Sequence, residues 1–199
     1  MKKLGILLSG RGSNFQAIAN NVHSGKITAE IAIVISNKPD AEGLRIAREM
    51  GLDAACIASQ GLKREEYDRR VVALLKEKQV DLVCLAGFMR LLSAYFVNEF
   101  PNRILNVHPA LLPSFPGLDS QQQALEHGVK FSGCTVHFVD AGLDSGPIIA
   151  QAVVPVEDGD TPASLSARIL AEEHRIYSEA INIVLSGKFR IEGRRVLRT

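Results

Sequence analysis

The chain has 199 residues, 46% hydrophobic and 23% charged, with a formal net charge of +1. That size and composition fit one folded domain with a sizeable core, and the near-neutral balance gives no general attraction to nucleic acid or acidic membranes. No apolar run approaches the roughly 20 residues of a membrane span, and MKKLGILLSG meets glycine and arginine before a signal-peptide core develops.

The three cysteines, Cys56, Cys84 and Cys134, lie far apart. They form neither metal-ligand spacing nor a disulfide framework, which points to a reducing cytoplasm.

In chain order, Lys3 to Ser9 is an apolar run followed by Gly10-Arg11-Gly12-Ser13-Asn14 and a helical pattern from about Phe15 to Val22. A strand, a glycine turn and a helix start make a phosphate-binding arrangement, because helix N-termini present unpaired N–H groups. The spacing matches neither the dinucleotide fingerprint nor the P-loop. A plain βα turn capped by Ser13 or Asn14 fits these residues equally well.

Glu30 to Ser36 reads as a second strand, Gly43 to Met50 as a helix ended by Gly51, and Asp53 to Ile57 as a short third strand. Lys63 to Lys78 has helical apolar spacing at Tyr67, Val71, Leu74 and Leu75. Its charges read as a solvated face, although Arg64, in the first turn, sits where the helix dipole does not favour a cation. Asp81 to Ala86 (DLVCLA) has the near-continuous apolar character of a central parallel strand. Gly87 to Leu92 follows as an apolar loop at that strand's C-terminal end, where open α/β sheets bind ligands. The same loop could instead pack beneath the next helix.

Ile104 to Gly117 (ILNVHPALLPSFPG) opens as a strand and breaks at Pro109. Strand alternation puts Asn106 and His108 on one face and Leu105 and Val107 on the other. A neutral amide and a titratable imidazole two residues apart suit activation of a carbonyl. A histidine that merely closes a strand end is the alternative.

Residues 119 to 128 (DSQQQALEHG) read as a short helix, and His127 as a charge partner of its C-terminus. Ser132 to Val139 reads as a strand with Thr135 and His137 on one face, and Ile148 to Val156 as a strand pairing antiparallel with it. The intervening Asp140 to Pro147 is too long for a two-residue hairpin turn. Thr161-Pro162 starts a helix with the stripe Leu165, Ile169, Ile176, Ala180 and Val184. Glu173 falls in that stripe, where a carboxylate is costly without a partner or a cleft. The tail from Gly187, with Lys188, Arg190, Arg194, Arg195 and Arg198, reads as a basic surface hairpin. Strands alternating with helices predict a doubly wound, mostly parallel α/β sheet with an antiparallel C-terminal part.

The segments SGRGSNFQAI (9–18), ISNKPDAEGL (35–44), LAGFMRLLS (85–93), ILNVHPALLPSFPG (104–117), GCTVHFVDAGLDSGPIIAQ (133–151) and EEHRIY (172–177) together resemble the phosphoribosylglycinamide formyltransferase family. These are folate-dependent enzymes of purine biosynthesis, and the resemblance spans nearly the whole chain in the family's order. It implies a Rossmann-like formyltransferase fold in one domain, with a nucleotide-binding half at about 1–100 and a folate and catalytic half at about 101–199. By the same resemblance Gly12, Ser13 and Asn14 hold the phosphate of the ribonucleotide, and Glu173 contacts that substrate. Met89, Arg90, Leu91 and Leu92, with Asp140, Ala141, Gly142 and Leu143, line the folate pocket, and Arg64 meets the folate's acidic tail. Asn106, His108 and Asp144 form the catalytic group. Leu118-Asp119-Ser120-Gln121-Gln122 stands where many relatives carry a histidine-containing sequence, and Thr135 where some carry serine.

The implied reaction is attack by the ribonucleotide's amine on the formyl carbon of N10-formyltetrahydrofolate, the co-substrate. Asn106 and protonated His108 would stabilise the oxyanion, each such donor being worth on the order of 3 kcal/mol of barrier. Asp144, if close, would favour the imidazolium form. The expected partners are these small molecules, with no metal, nucleic acid or membrane, in a monomer or homodimer. Two competing readings remain. One is another formyl-folate enzyme, such as a deformylase or a formyltransferase acting on methionyl-tRNA or an amino sugar. The other is a non-catalytic nucleotide- or folate-binding module, which would have no need of Asn106, His108 and Asp144 together.

Overall fold

A computed structural model describes residues 1–199 and contains nine strands and six helices. The chain divides into two compact units, Met1–Leu105 and Asn106–Thr199. The architecture is mixed α/β, with parallel pairing in the first unit and mostly antiparallel pairing in the second.

In the first unit β1 (Lys2–Leu8) pairs in parallel with β2 (Ala29–Ser36) and with β4 (Leu82–Leu85), and β2 pairs in parallel with β3 (Ala54–Cys56). Strand β1 is therefore central here, and its residues Leu4, Ile6, Leu7 and Leu8 are fully buried. Parallel strands buried on both faces need continuous apolar runs, which β1 and β4 supply. Helix α1 (Ser13–His23) packs on α2 (Glu42–Glu49), and α3 (Arg64–Glu77) on α4 (Ala94–Glu99). The helix expected after the Gly87–Leu92 loop is α4, whose six residues are too few to show a helical period in the sequence. Its start is nonetheless marked, because Ser93 accepts the Phe96 amide as an N-cap.

Strand β5 (Ile104–His108) begins in the first unit and ends in the second. Beyond it lie α5 (Ser120–Glu126), β6 (Phe131–Phe138), β7 (Ile148–Pro155) and α6 (Pro162–Ser186). Strands β6 and β7 pair antiparallel, as the short connection predicts. Helix α6 opens with a capping box between Thr161 and Ser164 and ends at Gly187, φ 67°. Its buried stripe, including Leu165, Ile169, Ile176, Tyr177 and Ala180, belongs to a helix that packs on β6 and β7. Val184 is only half-buried, since the last turn runs outward past Ile181. The tail forms β8 (Phe189–Glu192) and β9 (Arg195–Arg198), an antiparallel hairpin whose Phe189 stacks on Phe138. No helix is long and apolar enough to cross a membrane.

Candidate active site

Strand alternation places Asn106 and His108 on one face of β5, and the second unit brings Asp144 and His137 to them. His108 is 4% exposed. Its Nε2 lies 2.8 Å from the Phe115 carbonyl oxygen and 3.4 Å from Ser120 Oγ, while its Nδ1 lies 3.4 Å from Asp144 Oδ2. Apart from the Ser120 hydroxyl, which can act either way, the ring faces only oxygen acceptors. Both ring nitrogens thus face an oxygen acceptor.

His137, buried on β6, faces its own neighbour's carbonyl: Nδ1 lies 2.8 Å from Phe138 O. Its Nε2 is 3.3 Å from Asn106 Nδ2 and 3.6 Å from Asp144 Oδ1. A neutral His137 therefore accepts one of the two N–H groups of the Asn106 amide, and a charged one donates to Asp144. Either way Asn106 Nδ2 keeps a second N–H for another acceptor.

Asp144 is held at φ 48°, a left-handed conformation that Asp tolerates better than most side chains. Its Oδ2 accepts the Gly117 amide at 2.9 Å. Burial pushes the Asp144 carboxyl up, but contacts from His137 and the Gly117 amide, together with the charge of the two histidines, outweigh it. The carboxyl is held below its ordinary range.

The turn from Phe115 to Ser120 thus touches both members of the His108–Asp144 pair. Phe115 and Asp119 adopt φ 52° and 56°, so the turn is tightly wound. Asp119-Ser120-Gln121-Gln122 starts α5 and places the buried Ser120 hydroxyl against His108. Just before this turn, the Thr135 hydroxyl donates to Ala110 O at 2.7 Å and accepts from Leu112 N at 3.0 Å. Gln151 Nε2 completes that buried network at 3.0 Å from both Thr135 Oγ1 and Leu112 O. The Leu112–Pro113 peptide is cis.

Elsewhere in the second unit, Asp140 Oδ1 accepts the Gly142 amide at 3.0 Å and the Ser145 hydroxyl at 2.7 Å, folding Asp140 to Leu143 into a loop. Leu143 is left exposed there, and Ala141 and Gly142 are exposed beside it. Glu173 is buried on α6, in the apolar stripe where the spacing put it.

In the first unit, Gly12 is the N-cap of α1 at φ 75°, with no side-chain cap and no acidic residue in the first turn. Neither Ser13 nor Asn14 caps the helix; both are helical residues. The N-cap, being glycine, thus supplies no side-chain acceptor to the first turn of α1. Met89 and Leu91 project into solvent, 69% and 54% exposed. Between them the Arg90 guanidinium lies 4.6 Å above the Tyr67 ring. Leu92 is half-buried, and Arg64 is exposed at the first position of α3, one turn before Tyr67. The buried Asp68 on the same turn accepts the Ser93 amide at 2.6 Å, so this helix also holds the end of the loop. No group of three or more His, Cys, Asp or Glu side chains is arranged to hold a metal ion.

Within the second unit the structure therefore assembles Asn106, His108 and Asp144 and adds His137 and Ser120 to them. Within the first unit, separately, it adds Asp68 as a support of the Gly87–Ser93 loop, and sequence reasoning singled out none of these three additions. For His137 a signal existed: it shares a strand face with Thr135, and its parity could have been followed to the site. Asp68 had none, being one charge among many on a charged helix.

Comparisons with known proteins bear on the fold and the family. The model of the formyl transferase family matches residues 2–181. The phosphoribosylglycinamide formyltransferase of Escherichia coli is 44% identical over 187 residues, covering 94% of this chain and 88% of that protein. The human trifunctional purine biosynthetic protein adenosine-3 is 46% identical over 93% of this chain. This chain spans only 18% of that protein's length, and 14% of its fruit-fly counterpart. The crystal structure of glycinamide ribonucleotide transformylase 1 from Symbiobacterium toebii superposes with a TM-score of 0.98 at 54% identity, covering 100% of this chain and 94% of that one. With the family's pattern matched along nine-tenths of its length and an asparagine, histidine and aspartate gathered on its fold, this chain belongs to the formyl transferase family.

Proposed function

We propose that the chain transfers the formyl group of N10-formyltetrahydrofolate to the amine of 5'-phosphoribosylglycinamide, a step of de novo purine synthesis in the cytoplasm. The observation that carries this reading is the Asn106–His108–Asp144 group, supported from behind by His137. The names of the matching relatives support the choice of substrates.

The amine attacks the formyl carbon, forming a C–N bond and moving the carbonyl electrons onto oxygen. The free N–H of Asn106 Nδ2 is the direct donor to that oxyanion, since its partner N–H is turned to His137. His108 supplies positive charge beside it. Its Nε2 is held at 2.8 Å from Phe115 O, whereas its Nδ1 lies 3.4 Å from Asp144, so the Nδ1 edge is the one assigned to face substrate. Collapse breaks the bond from carbon to N10 of the folate. N10 gains a proton and the attacking nitrogen loses one, and Asp144, ionised throughout the neutral range, is placed to relay it through His108 or water.

Gly12, Ser13 and Asn14 are assigned to the ribonucleotide phosphate and Glu173 to the same substrate. Met89 to Leu92, Asp140 to Leu143 and Arg64 are assigned to the folate. Exposed apolar side chains at Met89 and Leu91, on one loop of the first unit, favour a flat, largely apolar ring as their ligand. The protein would act as a monomer or homodimer.

The test is to mix purified protein with 10-formyltetrahydrofolate, with and without the ribonucleotide, and to follow folate absorbance. Turnover that requires the ribonucleotide supports the transferase. Turnover with folate and water alone would replace it with a deformylase, and folate binding without turnover would leave only a binding module.

A further inference from the structure

Two loops of the first unit, the glycine turn after β1 and the loop after β4, meet at one buried hydroxyl. Ser9 is the last residue before Gly10 and is 4% exposed. Its Oγ donates its single proton to Asn37 Oδ1 at 2.6 Å. A hydroxyl so committed is left as an acceptor, and the Met89 amide donates to it at 2.8 Å. The Ser9 amide in turn donates to Gly87 O at 3.0 Å. The Asn37 amide is oriented by its own bond, Nδ2 to Ser59 Oγ at 3.3 Å. The donor direction of the chain is thus fixed from Met89 through Ser9 to Asn37.

These residues stand just past the C-terminal ends of β1, β2 and β4, which are adjacent parallel strands. On the far side of the Ser9 turn, Gly10 O accepts the Gly43 amide at 3.0 Å, and a Cβ at Gly12 would come within 3.0 Å of Gly43 Cα. The glycine turn is therefore seated on α2, and the Gly87–Ser93 loop is seated on Ser9 at one end and Asp68 at the other. Met89, with 69% of its surface exposed, is held out by a backbone that is itself tied down.

We propose that Ser9 is a positioning residue serving both loops: through one buried hydroxyl it fixes the backbone that presents Met89 and begins the turn that presents the α1 amides. This rests on the assignment of those loops to folate and ribonucleotide. Losing the hydroxyl leaves the Met89 amide and Asn37 Oδ1 without a partner, so the loop relaxes where ligand is bound rather than where chemistry occurs.

The experiment is steady-state kinetics of Ser9→Ala and Ser9→Thr beside the wild type, with thermal midpoints measured on each. The expected result for Ser9→Ala is a KM for 10-formyltetrahydrofolate raised about tenfold, the size of one lost buried hydrogen bond, with kcat at saturation within about twofold. Ser9→Thr, which keeps the hydroxyl, restores KM to near the wild-type value. A fall in kcat that follows the loss of folded protein, with KM unchanged, would overturn the proposal and leave Ser9 a structural residue. So would a KM for Ser9→Thr as poor as for Ser9→Ala in a protein of wild-type midpoint. If the wild type itself fails to turn over the two substrates, the assignment of function falls first and this inference with it.

Discussion

The backbone amide of Gly117 donates to Asp144 Oδ2 at 2.9 Å, and that same oxygen faces His108 Nδ1 at 3.4 Å. One carboxylate thus tethers a turn and faces the His108 imidazole at once. Asp144→Asn keeps an oxygen for Gly117 and a residue type that accepts φ 48°, so it folds, but it removes the charge. We expect kcat to fall on the order of a hundredfold or more. The wild-type carboxyl is held below its ordinary value, so it stays ionised as pH falls through the usual carboxylate range and protonates only below it. The pH–rate profile of the variant should lack that acidic limb, and an unchanged profile would remove Asp144 from the chemistry.

His137→Ala should act through its neighbours. It frees one N–H of Asn106 if the imidazole is neutral, or one oxygen of Asp144 if it is charged. A loss in kcat of about tenfold, with ribonucleotide KM little changed, is the expected outcome for a supporting group. Wild-type kcat in this variant would mean that His137 only fills space.

Cys134 and Cys56 should differ sharply in reactivity. Burial, with the charges of Glu173 and Glu172, pushes the Cys134 thiol up to about 12, whereas Cys56 is exposed. Thiolate is the reactive form, so native protein treated with iodoacetamide should be modified at Cys56, with Cys134 reacting only after unfolding. Peptide mass spectrometry reads this directly, and rapid native labelling of Cys134 would refute the packing described for β6.

Gly146 has no room for a side chain. A Cβ there would sit 1.9 Å from Phe138 O, and the contact is backbone, which cannot swing away. Gly146→Ala should destabilise the protein by about 3 kcal/mol, measured by urea unfolding, because the loop that carries Asp144 must shift.

Asp160 gives a stability signal with a defined sign. The Arg168 guanidinium, the Glu157 amide and the Ser164 hydroxyl hold its carboxyl well below the ordinary range. A depressed carboxyl stabilises the fold above its unfolded pKa, and that contribution is lost as pH falls through the folded value. Asp160→Asn should therefore lower the thermal midpoint at pH 7, with the gap to wild type closing in strong acid. A gap independent of pH would show that the ion pair is not its source.

The strands were legible in the sequence because burial on two faces demands runs such as DLVCLA, and α6 because Thr161-Pro162 and its apolar stripe are local signals. Asn106 and His108 could be paired by strand parity alone. Other features depend on distance along the chain. Ser9 meets Asn37 across 28 positions and Met89 across 80, and no local pattern reports such a meeting. The left-handed backbone at Phe115, Asp119 and Asp144 carries no glycine to announce it. Asp68 looked solvated because its helix is mostly charged, yet the Ser93 amide draws it inside.

The φ of +48° at Asp144 also shapes what inheritance can do at that codon. The residues most at ease in that backbone are glycine, asparagine and aspartate, and each of the first two is one nucleotide change from the third. Of the two, asparagine alone also keeps an oxygen for the Gly117 amide, so that allele would preserve the shape and lose the charge. Such an allele would yield a folded chain that lacks the charge, a defect that quality control against misfolded proteins does not sense.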